Sequence, residues 1–274
     1  MESVVSADWL FNYLDDPNVV IIDARFQLSD PSWGRTQYEI THIPGAFYLD
    51  LNEDLSSPVQ KHGGRHPLPD PEILAAKLAN LGIHWNQTAV VAYDDSRFAF
   101  AARVWWLLRY LGHDSVAVLD GGWSTWQNAG YPVSAEIPSP QVGSFPPQVR
   151  TDWVVDRDGV IASQRDDQAV IIDSRDRDRY LGEREPIDPV AGHIPTALNF
   201  PWKGVTDEAG NLYNPAEQRQ RWLESNPSIQ ETQEKIVYCG SGVTACVNLL
   251  SLHLAQLPHG KLYAGSWSDW CSYL

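Results

Sequence analysis

The residues best suited to chemistry lie in the segment KIVYCGSGVTAC, residues 235–246. An apolar run typical of a buried strand ends at Cys239, and a helical pattern begins near Val243. Gly240 and Gly242 allow the short loop between them to turn its backbone N–H groups inward, and the helix N-terminus adds its positive end. A thiolate on Cys239 would be stabilised at the centre of this loop and would be nucleophilic at neutral pH. A persulfide anion on the same sulfur would be held in the same way.

A single cysteine at the end of a strand is often only a small buried apolar residue. An internal repeat helps to decide between this reading and the functional one, because the chain carries four matched segments in the same order. The matched pairs are 4–25 with 154–175, 41–46 with 192–197, 90–104 with 235–249, and 121–126 with 265–270. The chain therefore contains two copies of one domain.

The second copy differs from the first at the position of Cys239 and in the loop that follows it. Asp94, within the sequence YDDSRF, is the counterpart of Cys239, and its loop contains no glycine. The shared fold therefore requires neither cysteine nor glycine at this loop. Their presence in the second copy favours a chemical role.

Each copy alternates short apolar runs with amphipathic segments, which predicts an α/β fold with parallel sheets covered by helices on both faces. Helical patterns occupy 99–112 and 243–256. The predicted strands are 19–23, 88–93, 116–121, 169–173, 235–239 and 261–265. Ligands of such sheets bind beyond the carboxyl ends of the strands, which is where Cys239 falls.

The segment YPVSAEIPSPQVGSFPPQVR, 131–150, has five prolines and neither helical nor strand periodicity, which is typical of a linker. We therefore predict an N-terminal domain at 1–137, a linker at 138–150 and a C-terminal domain at 151–274.

The chain has a formal net charge of −15 and a pI of about 4.8, which disfavours nucleic acid and anionic membranes as partners. It has no apolar run long enough for a transmembrane helix and no secretory signal pattern. Three cysteines are too few for a disulfide framework and lack zinc-ligand spacing, so a cytoplasmic location and no metal are expected. An anionic substrate would need a local group of arginines or N–H donors.

The chain resembles the two-domain rhodanese and 3-mercaptopyruvate sulfurtransferase family over nearly its whole length. The resemblance rests on V-I-I-D-x-R and H-I-P in both halves, on the LDGGW segment and on C-G-S-G-V-T at 239–244. It implies two tandem rhodanese-like domains, of which only the C-terminal one is catalytic, and sulfur transfer through a Cys239 persulfide without a cofactor. The loop residues that would bind the donor and sulfur are Gly240, Gly242, Val243 and Thr244.

The residue types of the loop indicate which sulfur donor is preferred. Members of this family that favour thiosulfate have basic residues inside the loop, whereas C-G-S-G-V-T is typical of those that favour 3-mercaptopyruvate. A dianion gains more from loop cations than a monocarboxylate does. The preference is graded, and the resemblance admits both donors.

Two arginines are candidates for binding the donor's anionic group. Arg179, in the charged run SRDRDRYLG, matches the family's cleft arginine, and Arg184 is a second candidate. The alternative is that Arg179 is an ordinary surface residue of this run. A further family arginine aligns near Asp188, where this chain has an acid instead.

The resemblance also implies a proton relay of a serine, a histidine and an aspartate. Ser241 and His66, the latter in HGGRHPLP, match the first two members. The third aligns near Asn52 and is missing or displaced to Asp50 or Glu53. Ser241 could instead bond its own backbone, and His66 could be an ordinary loop residue.

The expected reaction is a double displacement, in which cyanide, a small thiol or a thioredoxin-like protein removes sulfur from Cys239. Related phosphatases need a roomier loop with an arginine at the position that Ala245 occupies, which disfavours that activity. A catalytically silent binding or redox-sensing module is the other alternative.

Overall fold

The predicted alternation of apolar runs and amphipathic segments produces two separate parallel sheets. The computed structural model describes residues 1–139, 141–165, 169–229 and 234–274. It divides into a first unit, Met1–Ser57 with Leu68–Arg150 and Ala209–Asn211, and a second unit, Pro58–Pro67 with Thr151–Glu208 and Leu212–Leu274.

The predicted boundaries at 1–137, 138–150 and 151–274 follow chain order, whereas these units follow contacts. Pro58–Pro67 lies in the first half of the chain but packs within the second unit. A sequence repeat shows which segments are equivalent and carries no information about where an unmatched loop packs. Residue 140 of the predicted linker lies outside the described residues.

The first unit is built on a five-stranded sheet with the order β1-β5-β4-β2-β3, in which each neighbouring pair is parallel. Its strands are β1 Val4–Val5, β2 Val19–Asp23, β3 Phe47–Tyr48, β4 Ala89–Tyr93 and β5 Val116–Leu119. Its helices are α1 Ala7–Asn12, α2 Trp33–Ile40, α3 Pro71–Asn80, α4 Ala101–Tyr110 and α5 Gly122–Asn128. Trp105, Trp106 and Trp126 are fully buried in this unit.

The second unit has a four-stranded parallel sheet with the order β7-β6-β8-β9. Its strands are β6 Ala169–Asp173, β7 Leu198–Asn199, β8 Glu234–Tyr238 and β9 Lys261–Leu262. Its helices are α6 Arg157–Ser163, α7 Arg177–Leu181, α8 Pro215–Ser225, α9 Ala245–Leu254 and α10 Ser266–Trp270, with 3-10 turns at Thr151–Trp153, Trp202–Val205, Pro227–Ile229 and Cys271–Tyr273. The predicted α/β class with two parallel sheets is confirmed.

The repeated V-I-I-D-x-R motif forms a buried ion pair at the end of β2 in the first unit and at the end of β6 in the second unit. In the second unit, Arg175 Nη2 lies 2.7 Å from Asp173 Oδ2 and also donates to the Gly192 carbonyl at 2.6 Å. In the first unit, Arg25 binds Asp23 at 2.6 Å in the same way. Because both pairs tie a strand end to the following H-I-P loop, the motif is structural in both copies.

Candidate active site

The Cys239 loop is held at the carboxyl end of β8 through its carbonyl groups. Trp267 N–H donates to the Cys239 carbonyl at 3.0 Å, and Ser268 N–H donates to the Gly240 carbonyl at 2.9 Å. Cys239 N–H in turn donates to Ser266 Oγ at 3.1 Å. The start of α10 therefore fixes one side of the loop, and Cys239 is only 2% exposed.

The N–H groups on the other side of the loop are available to a ligand. In the part of the chain that the structure describes, no protein acceptor binds the N–H groups of Gly240, Ser241, Val243 and Thr244. Thr244 is the N-cap of α9, but its side chain makes no capping hydrogen bond. The loop thus offers several donors to an anion.

The two glycines of the loop have different physical roles. Gly242 has a φ of +76°, and a Cβ there would lie 2.3 Å from the Ala264 carbonyl oxygen, so a side chain is excluded. Gly240 has an ordinary φ. A Cβ on it would lie 3.1 Å from Arg65 Nη2 and 3.5 Å from Arg179 Nη1. Gly240 therefore leaves room for two guanidinium groups.

The equivalent loop of the first unit shows what this geometry binds. Asp94 is 2% exposed, and its carboxylate accepts from the N–H groups of Ser96, Phe98, Phe100 and Ala101 at 2.8–3.0 Å. Burial raises the pKa of Asp94, and the N–H groups of Ala101, Ser96 and Phe100 oppose that shift without cancelling it. The four hydrogen bonds themselves show that this loop directs N–H groups towards an acceptor at its centre.

Ser241 and His66 are brought together by the fold. Ser241 Oγ lies 2.7 Å from His66 Nδ1, and the two residues are 7% and 5% exposed. Their candidate acidic partners lie in the first unit with local partners of their own. Asp50 Oδ1 accepts from the N–H of Asn52 at 2.7 Å, and Glu53 binds Arg35 at 3.2 Å.

His66 is positioned by the packing of Pro58–Pro67 against the end of the chain. Gly63 N–H donates to Asp269 Oδ1 at 2.7 Å, and Arg65 N–H donates to Ser268 Oγ at 3.1 Å. The ring of His62 stacks on Tyr273 with centroids 4.0 Å apart. The same segment places the Arg65 side chain beside the loop.

Of the two predicted arginines, the structure brings Arg179 to the loop and leaves Arg184 away from it. Arg179 Nη2 donates to Glu185 Oε1 at 2.7 Å and to Asp188 Oδ2 at 3.1 Å, while Nη1 faces Gly240. Arg184 is exposed and binds Asp178 at 2.6 Å. Among the described residues, Arg184 has its ion pair with Asp178 and no hydrogen bond to the Cys239 loop, so its role in binding the donor stays a prediction.

Arg65 is the residue that sequence reasoning missed. Its guanidinium binds Asp188, the acid found where the resemblance led us to look for an arginine. The only signal in the sequence was its place directly before His66.

The two other cysteines are also free thiols and are buried. Cys246 Sγ contacts the Gly242 carbonyl at 3.5 Å, and burial raises the pKa of the Cys271 thiol. Among the described residues, no group of three His, Cys, Asp or Glu side chains could hold a metal ion. No helix among them is both long and apolar enough to cross a membrane.

Comparisons with known proteins identify the same family as the sequence motifs do. The model of the rhodanese-like domain matches residues 6–129 and 157–273. A Pseudomonas aeruginosa protein named "Probable 3-mercaptopyruvate sulfurtransferase" is 43% identical, covering 97% of this chain and 94% of its own. The thiosulfate sulfurtransferase of Rattus norvegicus is 32% identical, covering 98% and 91%. The solved "Rhodanese" fold of the Escherichia coli 3-mercaptopyruvate enzyme has a TM-score of 0.84 at 33% identity, covering 98% of this chain and 100% of the other.

Proposed function

The chain belongs to the rhodanese-like family and is a sulfurtransferase, and from this premise we propose that Cys239 carries the sulfur as a persulfide. The observation that supports this most is the pair of equivalent loops. Asp94 places a carboxylate among four N–H donors in the first unit. In the second unit, Cys239 occupies the equivalent position with donors available. A thiolate or persulfide there would receive the stabilisation that the carboxylate receives in the other copy.

We propose 3-mercaptopyruvate as the preferred donor, with thiosulfate as a second one. The loop Cys239–Thr244 contains no lysine or arginine, and the guanidinium of Arg179 beside Gly240 suits one carboxylate. The relatives reported above carry both names, which supports a family able to use either donor.

In the first half-reaction, the Cys239 thiolate attacks the sulfur of 3-mercaptopyruvate and an S–S bond forms. The carbon–sulfur bond breaks, and its electron pair remains on the pyruvate fragment as an enolate. The proton that was on the donor sulfur is transferred to the enolate carbon, which gives pyruvate and an anionic persulfide. Ser241 and His66, which share a hydrogen bond of 2.7 Å, are positioned to carry this proton.

In the second half-reaction, an acceptor attacks the outer sulfur and the Cys239 thiolate is regenerated. We propose cyanide, a small thiol or a thioredoxin-like protein as the acceptor, because each is a sulfur-seeking nucleophile. The reaction needs Cys239 reduced, and all three cysteines are free, which supports a cytoplasmic location.

The test is steady-state sulfur transfer to cyanide with each donor, in the wild type, in Cys239→Ser and in Cys271→Ala. Cys271→Ala is a matched control, because it removes another buried thiol of the second unit. We expect parallel double-reciprocal plots, a higher kcat/KM with 3-mercaptopyruvate, and loss of activity with both donors only in Cys239→Ser.

Other outcomes have distinct meanings. A preference for thiosulfate would overturn the donor assignment and leave Cys239 as the carrier. Full activity of Cys239→Ser would remove Cys239 from the mechanism. A wild type without activity towards either donor would favour a silent binding or redox-sensing module.

A further inference from the structure

We propose that Arg65 is a second donor-binding residue, which together with Arg179 forms a two-guanidinium clamp for the donor's carboxylate. This inference rests on the proposed function, since it concerns the donor used by Cys239. Arg65 comes from the segment Pro58–Pro67, far in sequence from the cysteine loop, and no sequence motif marked it.

The two guanidinium groups converge on the same side of Gly240. A Cβ on Gly240 would lie 3.1 Å from Arg65 Nη2, 3.5 Å from Arg179 Nη1 and 3.6 Å from Arg179 Nη2. Gly240 follows Cys239 directly, and the charge of Cys239 acts on Arg65, which indicates that Arg65 lies near the sulfur. A carboxylate at this place can accept from both groups.

The carboxylates around the two arginines orient them and leave an edge of each open. Asp188 binds Arg65 Nη1 through one oxygen and Arg179 Nη2 through the other. Glu185 takes a further contact of Arg179 Nη2 at 2.7 Å. Arg65 Nη2 and Arg179 Nη1 are the nitrogens that remain on the side of Gly240.

Arg65 is more accessible to an incoming donor than Arg179 is. Its side chain is 31% exposed, against 12% for Arg179 and 2% for Asp188. Its backbone is held to Ser268 Oγ at 3.1 Å. A cation that is fixed in place and still partly solvated can meet an anion without a large rearrangement.

The charges around Arg65 are those of a binding site for an anion. Burial lowers the pKa of Arg65, the negative charge of Cys239 opposes this shift, and Arg179 adds to it. A guanidinium stays charged at neutral pH in spite of such a shift. Asp188 and Glu185 offset much of this positive charge, so the attraction for a donor carboxylate comes from the guanidinium N–H groups that face Gly240.

The kinetic test compares Arg65→Gln with Arg177→Gln. Arg177 is an exposed arginine at the start of α7, so its replacement makes the same charge change without removing Arg65 or Arg179. We expect Arg65→Gln to raise the KM for 3-mercaptopyruvate by roughly tenfold to a hundredfold, as for loss of a charged hydrogen bond, with a much smaller change in kcat. The KM for the acceptor should not change. Arg65→Lys, which keeps the charge, should recover part of the loss.

A second measurement does not depend on sulfur transfer. The alkylation rate of Cys239 is measured by peptide mass spectrometry with anionic iodoacetate and with neutral iodoacetamide. We expect the iodoacetate-to-iodoacetamide ratio to fall severalfold in Arg65→Gln and to stay at the wild-type value in Arg177→Gln.

The outcomes separate this inference from the proposed function. A wild type that transfers no sulfur overturns the proposed function, while the alkylation ratio still tests whether Arg65 attracts anions to Cys239. An unchanged ratio and an unchanged donor KM in Arg65→Gln overturn the role of Arg65. An equal slowing with both reagents also overturns it, because that result indicates only a structural role.

Discussion

Replacing Ser241 by alanine should lower the activity with 3-mercaptopyruvate much more than the activity with thiosulfate. The substitution removes the hydroxyl that lies 2.7 Å from His66 Nδ1 and leaves the loop backbone in place. With 3-mercaptopyruvate, the leaving group is an enolate that must gain a proton. With thiosulfate, the leaving group is sulfite, a stable anion that can depart without one. A residue that moves the proton should therefore matter for only one donor.

The expected loss of activity follows from the role of the hydroxyl group that the substitution removes. General acid–base catalysis contributes about 10²–10⁴-fold, and His66 remains near the loop, so we expect the low end, about 10²-fold in kcat/KM with 3-mercaptopyruvate. This corresponds to about 2.7 kcal/mol of transition-state stabilisation. With thiosulfate, we expect a change of less than about threefold, because no proton transfer is lost. Removing a partner of buried His66 should cost about 1–3 kcal/mol of folding free energy.

The assay is thiocyanate formation from cyanide with each donor, under conditions where thermal unfolding shows the variant to be folded. His66→Gln and the double variant Ser241→Ala/His66→Gln complete a cycle. If the two residues act as a unit, the double variant should lose hardly more activity than either single variant does.

Two results would refute the reasoning. An equal loss with both donors would mean that Ser241 only shapes the loop that holds the persulfide. Unchanged kcat/KM with 3-mercaptopyruvate would mean that the enolate receives its proton from water or from another group.

Further predictions concern the buried anions of the two units. Asp94→Asn should lower the free energy of unfolding by about 2–4 kcal/mol, because an amide NH₂ would face two N–H donors. Sulfur transfer through Cys239 should be unchanged at temperatures where the variant is folded. A melting temperature equal to that of the wild type would contradict the predicted loss of stability. Asp23→Asn should cost about 3–5 kcal/mol in denaturant unfolding, because it removes the ion-pair partner of buried Arg25. Asp173→Asn should cost less, because Arg175 keeps a second buried partner, Glu185, at 3.2 Å. Only Asp173→Asn should also reduce sulfur transfer, because Asp173 lies in the unit that carries Cys239. Equal losses of activity in both variants would argue against catalysis by the second unit alone.

Much of the fold was predictable because its signals are local or repeated. The predicted strands at 19–23 and 169–173 agree with β2 Val19–Asp23 and β6 Ala169–Asp173, since a strand buried on both faces is a short continuous apolar run. The helical patterns at 99–112 and 243–256 contain α4 Ala101–Tyr110 and α9 Ala245–Leu254, with ends that lie inside the predicted ranges. Caps and first turns depend on contacts that periodicity does not show.

The sequence by itself determined the repeat, the chemistry of the Cys239 loop and the glycine at 242, whose φ of +76° no side chain adopts easily. The loop and its glycine lie within a few adjacent residues, and the repeat is visible as four matched pairs of segments. Only the tertiary structure decided which charged residues meet that loop. His66 and Ser241 are 175 positions apart, and Arg65 and Asp188 are 123 apart. Arg184 lies close to Arg179 in sequence, yet it binds Asp178 at the surface. The physical reason is that a charge acts through distance in space, and the path of a loop across the fold sets that distance.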